Sequence, residues 1–98
     1  MNWIGYNLNY LKKYNEAIQE YDKAIELHPS DNPWDNKGNA LFSLGKYDEA
    51  LKAFEKAIEF APNKAIYWND KGNALKQLNL TTEADAAYAK AKELGYSG

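Results

Sequence analysis

The chain of 98 residues contains no cysteine and only one histidine, His28. Without cysteine, disulfides, thiol catalysis and thiolate metal sites are all excluded. His28 precedes Pro29 at a predicted helix end, where we expect a solvated loop residue. Carboxylates four residues apart, such as Glu55 and Glu59, have lysines nearby, which is typical of solvated helix faces. We therefore expect no metal site, no cofactor and no enzymatic activity.

Long apolar runs and blocks of like charge are also missing. No stretch of about 18 apolar residues could span a membrane, and the first residues lack the features of a signal peptide. The 12 basic and 14 acidic residues are mixed along the chain and give a net charge of −2. No basic block could therefore neutralise several phosphates. These features predict a cytoplasmic protein with neither a membrane nor a nucleic-acid partner.

What the chain does have is an internal repeat of 34 residues. Aligning residues 31–64 with 65–98 gives 13 identical positions. An earlier copy aligns with a 33-residue offset, which pairs Gly5 with Gly38 and Tyr21 with Phe54. Self-similarity at this period is typical of helical arrays. We divide the single domain, 1–98, into repeat 1 (about 1–30, truncated at its start), repeat 2 (31–64) and repeat 3 (65–98).

Each copy has the pattern of two helices joined by a short turn. Apolar or small residues recur at helical spacing in repeat 2: Trp34, Gly38, Leu41 and Leu44, then Ala50, Phe54, Ala57 and Ile58. Gly45 is placed to end the first helix in left-handed backbone, and Asp48 to cap the second. Pro29 and Pro62 end the second helices. The pattern predicts an all-α fold of six helices, at 2–12, 15–28, 32–44, 48–60, 66–78 and 82–94.

These positions resemble the signature of the tetratricopeptide repeat (TPR) family. The matching residues in repeat 2 are Trp34, Gly38, Leu41, Gly45, Tyr47, Ala50, Phe54, Ala57 and Pro62, and the resemblance extends over essentially the whole chain. Lys37 and Lys71 depart from it, since the family usually has leucine there, as do Leu41 and Leu75 where tyrosine is common. The resemblance implies a right-handed α-solenoid of three helix-turn-helix repeats that binds a protein or peptide in its concave groove.

In the TPR family, ligand contacts come mostly from the first helix of each repeat. Carried onto repeats 2 and 3, these slots hold a largely polar set: Asn32, Asp35, Asn36, Asn39, Phe42, Asn69, Asp70, Asn73 and Lys76. An asparagine amide both donates and accepts, so Asn39 and Asn73, in equivalent slots, are expected to bind a peptide backbone. The alternative is that both are merely polar residues of a helix surface.

One subfamily grips the acidic C-terminal tails of cytosolic heat-shock chaperones through a clamp of lysine, arginine and asparagine. Of the slots that the clamp needs, only Asn36 conforms, and Ile66 and Asp70 stand where it has lysine and arginine. Asp35 and Asp70 would repel a carboxylate. We therefore expect a partner that is neutral or basic rather than acidic-tailed.

The last copy has charges where the others are apolar. The slots of Leu51 and Ile58 in repeat 2 hold Asp85 and Lys92 in repeat 3. Both lie on the face that a following helix would cover. The exchange predicts a polar C-terminal capping helix.

The first helix carries an aromatic stripe, formed by Trp3, Tyr6 and Tyr10, in slots that are polar in the later copies. These residues are three and four positions apart and so share one helix face. Two interpretations stay open. The chain is either a fragment of a longer array or a self-associating scaffold that forms a homodimer through this helix.

The turn inside repeat 1 has the weakest helix-ending signal. Repeats 2 and 3 have Gly45 and Asn79 there, the residue types that best tolerate left-handed backbone. Repeat 1 has Lys12, for which that backbone costs about 1 kcal/mol relative to glycine. Either packing enforces a closed turn, or one long helix runs through residues 2–28 and needs a second molecule to cover its apolar face.

Overall fold

The computed structural model describes residues 3–96, and for residues 3–11 it describes the backbone alone. Within this range the chain forms five helices and no strand: α1 (Trp3–Leu27), α2 (Asp31–Ser43), α3 (Tyr47–Phe60), α4 (Ala65–Gln77) and α5 (Thr81–Glu93). Consecutive helices pack against each other, in the order of a helical repeat array. The all-α prediction is confirmed, and α2 to α5 begin and end within two residues of their predicted bounds.

The helices form an inner and an outer row. The inner helices α2 and α4 approach each other, whereas the outer helices α3 and α5, both fully described, do not. Each first helix therefore lies on the concave side of the curve and each second helix on the convex side. This arrangement places α2 and α4 where the groove was predicted.

The turns after α2 and α4 share one hydrogen-bonded geometry. Gly45 has φ +79°, and the next residue, Lys46, donates its N–H to Leu41 O at 2.9 Å. Asn79 has φ +64°, and an equivalent bond of 2.9 Å follows it. This helix ending satisfies carbonyls that would otherwise lack a donor. The predicted left-handed roles of Gly45 and Asn79 are confirmed.

The predicted cap at Asp48 is wrong. The helix α3 begins at Tyr47, and Lys46 precedes it without a side-chain capping bond. Asp48 and Glu49 instead lie inside the first turn, where their charges complement the positive end of the helix dipole. The turn after Gly45 is tight enough that the helix starts one residue earlier than predicted.

The prediction of six helices is wrong for repeat 1. The helix α1 runs without interruption from Trp3 to Leu27, so the predicted helices 2–12 and 15–28 are one helix of 25 residues. Lys12 lies inside it and is exposed. Lysine is a good helix former, and residues 10–14 contain no glycine, asparagine or proline. With lysine rather than glycine or asparagine at position 12, the chain adopts the long helix that the sequence analysis gave as one alternative.

Small residues let the helices approach closely around a few rings. Ala50 and Ala57 are 0% exposed and Phe54 is 1% exposed. Leu51 packs against the core of its own repeat and against that of repeat 3, so it joins the two repeats. Its slot is thus one that a following repeat covers. In repeat 3 the slot holds the exposed Asp85, and the predicted capping role of α5 stays a prediction.

Candidate functional site

The concave side of the array contains a small cleft between α2 and α4. Four of the predicted groove residues line it, Asn39, Phe42, Asp70 and Asn73, together with the buried Phe54, around a volume of about 130 Å³. Phe42 also contacts Tyr47 edge to face at 5.0 Å between ring centroids. We call this surface the α2/α4 groove. It combines an aromatic wall with two amides and a carboxyl group.

The remaining predicted residues lie around this cleft without lining it. Asp35 borders it through Asn39, whose side-chain N–H donates to Asp35 Oδ2 at 3.2 Å. Asn32 accepts a 3.1 Å hydrogen bond from the Tyr67 hydroxyl at the start of α2. The other three are exposed or partly buried on the same two helices: Asn36, Asn69 and Lys76.

Asp35 and Asp70 form a carboxyl pair at the groove. Burial, followed by the hydrogen bond to Asp35, raises the pKa of Asp70 from its ordinary value of 3.8 to about 8. Burial also raises the pKa of Asp35. Asp35 Oδ1 is buried, and none of the described groups donates to it while both carboxyls are ionised. A side-chain hydrogen bond between the two groups lowers the pKa of Asp35 and raises that of Asp70, which favours one proton shared by the pair.

A second polar cluster, missed in the sequence analysis, joins the first turns of α2 and α4. The Tyr67 hydroxyl donates to Asp31 Oδ2 at 2.7 Å, and Lys64 Nζ lies 3.3 Å from the same oxygen. Tyr67 is 2% exposed, and its burial and its bond to Asp31 raise its pKa. The Tyr67 bond, with Lys64, lowers the pKa of Asp31. This cluster links α2 and α4, the two helices that form the groove.

Asn39 and Asn73 occupy equivalent slots but make different contacts. Asn73 Oδ1 accepts a 2.7 Å hydrogen bond from the Tyr88 hydroxyl. The residue equivalent to Tyr88 in repeat 2 is Phe54, which has no hydroxyl, so Asn39 bonds Asp35 instead. Asn73 therefore has a structural role that the repeat alignment did not predict, while its amide N–H groups are what it can offer to a ligand.

The two lysines that depart from the family pattern connect adjacent repeats. Lys37 Nζ lies 2.7 Å from Asp22 in α1 and 5.4 Å from the Trp34 ring centroid. Lys71 does the same in the next repeat, 3.6 Å from Glu55 and 5.2 Å from the Trp68 ring centroid. A lysine stem covers apolar surface while its charge pairs across the repeat boundary. The repeated arrangement explains why lysine replaces leucine.

Two larger clefts lie outside the α2/α4 groove. One, of about 530 Å³, has Trp34 and Ala53 among its lining residues, with Lys56 and Glu59 at its rim. The other, of about 320 Å³, has Trp68 and Ala87 in the equivalent positions. Both are open to solvent and are bordered by lysine and glutamate side chains. They repeat with the structural period and contain none of the predicted groove residues.

The aromatic stripe lies outside the part of the structure in which side chains are described. Trp3, Tyr6 and Tyr10 belong to α1, and their predicted role in self-association stays a prediction. Across residues 3–96, none of the helices is both long and apolar enough to cross a membrane. The side chains that the structure describes, those of residues 12–96, contain no group of three or more histidine or acidic residues placed to hold a metal ion.

Comparison with known proteins identifies the family. Two tetratricopeptide repeat models match the chain, one over residues 36–64 and the other over residues 1–31 and 65–94. No curated protein matched the sequence. Solved structures of MamA are similar in fold and sequence.

The structure named "MamA MSR-1 C2" has a TM-score of 0.79 and 31% identity, over 89% of this chain and 52% of that one. For "MamA AMB-1 P212121" the TM-score is 0.79 and the identity 31%, over 89% and 53%. A MamA mutant has a TM-score of 0.80 and 30% identity, over 92% and 68%. This chain thus spans about half the length of two of these MamA chains. By its repeats, its fold and these matches, the chain belongs to the tetratricopeptide repeat family.

Proposed function

We propose that the chain is a protein-interaction module that binds an extended peptide segment in the α2/α4 groove. The observation that carries the proposal is that Asn39, Phe42, Asp70 and Asn73, from two repeats, line one concave cleft. Amide groups suit a peptide backbone, and the Phe42 ring suits an apolar side chain. The TPR family as a whole is a protein-interaction fold rather than a catalytic one, which agrees with this function.

The carboxyl pair favours a partner that carries a positive charge. Asp35 Oδ1 is buried without a donor when both carboxyls are ionised. A lysine or arginine side chain, or a free amino terminus, would donate to it and displace the proton shared with Asp70. An acidic tail would add a further negative charge beside Asp31, Asp35 and Asp70. We therefore propose a neutral or basic ligand.

A displayed library of random peptides, selected on the purified chain, tests this function. We expect enrichment of sequences with lysine or arginine next to an apolar residue. The Asn39→Ala and Asp70→Asn variants should each bind the selected peptides about fivefold more weakly, the loss of one hydrogen bond of about 1 kcal/mol. The matched control is Glu59→Gln, an exposed change on the outer helix α3 that should have no effect. Enrichment of acidic tails, or groove variants that bind the peptides as tightly as the parent, would refute the proposal.

Self-association is a second candidate function, favoured by the continuous helix α1. A first repeat whose two halves form one helix cannot fold back on itself, so α1 has surface that its own chain leaves uncovered. We propose a homodimer in which α1 forms the contact. Light scattering at increasing concentration tests it, because a single chain has a mass of 11.2 kDa. A constant mass of one chain at high concentration would exclude the dimer.

A further inference from the structure

The second half of α1 has a face that is only partly buried, although the same face is closed in the other repeats. Ala17 and Ala24 are partly exposed on this face. Their equivalents are between 0% and 2% exposed: Ala50 and Ala57 in repeat 2, Ala84 and Ala91 in repeat 3. We call the surface around Ala17, Tyr21 and Ala24 the open face.

Repeat 3 shows which helix is missing from the open face. Among the described helices, α5 packs against α4 alone, yet Ala84 and Ala91 are buried. The first helix of the same repeat is therefore sufficient to bury these alanines. Repeat 1 has the opposite situation. The next helix, α2, packs against it, but its own first and second helices are the two halves of α1 and cannot pack on each other. The open face lacks a first helix.

The spacing of glycine and ring residues identifies the helix that fits. In repeats 2 and 3, a Cβ on Gly38 or Gly72 would stand 2.5 or 2.6 Å from the ring of Phe54 or Tyr88, sixteen residues later. Gly5 and Tyr21 have the same spacing in repeat 1. On one straight helix, sixteen residues span about 24 Å, so Gly5 cannot reach the Tyr21 of its own chain.

We propose that two copies of the chain exchange the first halves of α1, so that residues 3–11 of each copy occupy the open face of the other. Gly5 of one copy then lies against Tyr21 of its partner. Because the exchange is symmetric about a two-fold axis, the same contact forms twice in the dimer. This exchange rests on the proposed self-association and gives it a definite register. It restores in both copies the helix pairing that α2 with α3 and α4 with α5 show within one chain.

The sequence of residues 3–11 has the residue types that cover the equivalent faces in repeats 2 and 3. Leu8 stands in the slot of Leu41 and Leu75, the leucines that pack on the equivalent alanine faces. One departure is Glu20, which takes the slot of Ala53 and Ala87. Ala53 borders a solvent-open cleft, so a glutamate in that slot can extend into water. A closed two-fold exchange also covers both open faces.

Single cysteines test the exchange cleanly, because the chain has none of its own. A Leu8→Cys chain and an Ala17→Cys chain are unfolded together under reducing conditions, refolded as a mixture and then treated with a mild oxidant, which joins adjacent thiols as a disulfide crosslink. We expect covalent dimers in the mixture and at least tenfold fewer in either chain alone, since only the exchange brings position 8 of one copy to position 17 of the other. Equal crosslinking in the mixture and in the single-cysteine samples would overturn the proposal.

The double variant Leu8→Cys/Ala17→Cys separates the remaining outcomes, and circular dichroism checks that it folds. A covalent dimer supports exchange. A crosslink within one chain shows a closed repeat, and an unlinked single-chain mass shows an unpaired open helix; either result overturns the proposal. An unlinked protein with the mass of a dimer overturns exchange but leaves self-association through another surface standing. Leu75→Cys/Ala84→Cys, the same slots in repeat 3, must crosslink within the chain and serves as the control.

Discussion

Gly72 packs directly against Tyr88: a Cβ on Gly72 would stand 2.6 Å from Tyr88 Cε1. Gly38 and Phe54 repeat this contact with a distance of 2.5 Å. Real Cβ atoms do not approach other carbons this closely, so the first and second helices of a repeat can pack only because this position is glycine. The contact sets the distance between the inner and outer rows of the array.

We predict that Gly72→Ala destabilises the fold even though alanine favours a helix. Overpacking against the ring costs about 1 to 3 kcal/mol, and the gain in helix propensity returns about 1 kcal/mol at most. The melting temperature should fall by several degrees. In a Tyr88→Leu background, where the ring is absent, the same substitution should be neutral or stabilising. A Gly72→Ala chain that melts at or above the parental temperature would show that the ring moves aside at no cost.

The Asn73 side chain should matter for stability, whereas Asn39 should matter for ligand binding alone. Asn73→Ala removes the bond from the Tyr88 hydroxyl, an expected loss of about 1 kcal/mol, and Tyr88→Phe should cost a similar amount. Asn39→Ala, on an exposed side chain, should change the melting temperature little. The double variant Asn73→Ala/Tyr88→Phe should cost less than the sum of the two single changes. Strict additivity, measured by denaturant unfolding, would contradict a direct bond.

Stability should fall as the pH rises, because the folded state holds a proton that the unfolded chain releases. The pKa of Asp70 is raised to about 8 by burial and by Asp35, from an ordinary value of 3.8. Between these values the folded state binds more protons, so the free energy of unfolding decreases with pH until Asp70 ionises. At the neighbouring carboxyl of Asp35, the charge of Asp31 raises the pKa and that of Lys64 lowers it.

The variant Asp70→Asn keeps the size and the donor of the protonated acid but cannot ionise. We expect it to melt several degrees above the parent at pH 8 and to lose most of the slope between pH 5 and pH 8. Glu26→Gln, an exposed carboxyl at the end of α1, should leave the slope unchanged. Thermal unfolding across this range measures both. A parental melting temperature that rises over the same interval would mean that Asp70 is ionised in the folded state.

The turn at Lys12 should decide whether repeat 1 is open or closed. Lys12→Gly lowers the preference for continuous helix by about 1 kcal/mol and permits left-handed backbone. In the Leu8→Cys/Ala17→Cys background it should shift crosslinks from between chains to within a chain by about fivefold. Lys12→Ala removes the same charge but favours the helix, and it should keep crosslinks between chains. If the glycine and alanine variants behave alike, residue 12 does not control the turn.

Much of the fold followed from local signals in the sequence. The 34-residue period, Gly45 and Asn79 at left-handed turns, and small residues facing aromatic rings predicted α2 to α5 closely. The long helix α1 differed from the repeat pattern because a missing helix-breaker at Lys12 outweighed the similarity of repeat 1 to its neighbours. Repeat alignment assumes that equivalent positions have equivalent backbone conformations, and Lys12 does not have the turn conformation of Gly45 and Asn79.

The groove was less predictable than the fold. Sequence slots located Asn39, Phe42, Asp70 and Asn73 on the concave side, because helical periodicity fixes the face of each residue. The raised pKa of Asp70 beside Asp35 could not be predicted, since it depends on burial and on a side-chain contact between two repeats. The Tyr67 cluster with Asp31 and Lys64 has no counterpart in the other repeats, and so comparison among the copies gave no signal for it.

The binding of a peptide in the α2/α4 groove is tested most directly by proton–nitrogen NMR spectra of the chain during titration with a library-selected peptide. We predict that the side-chain amide signals of Asn39 and Asn73 shift, together with backbone amides of α2 and α4, while those of α3 and α5 change little. Asp70→Asn should reduce the shifts at equal peptide concentration. Shifts that fall on the outer helices α3 and α5, with Asn39 and Asn73 unmoved, would contradict the groove as the binding site.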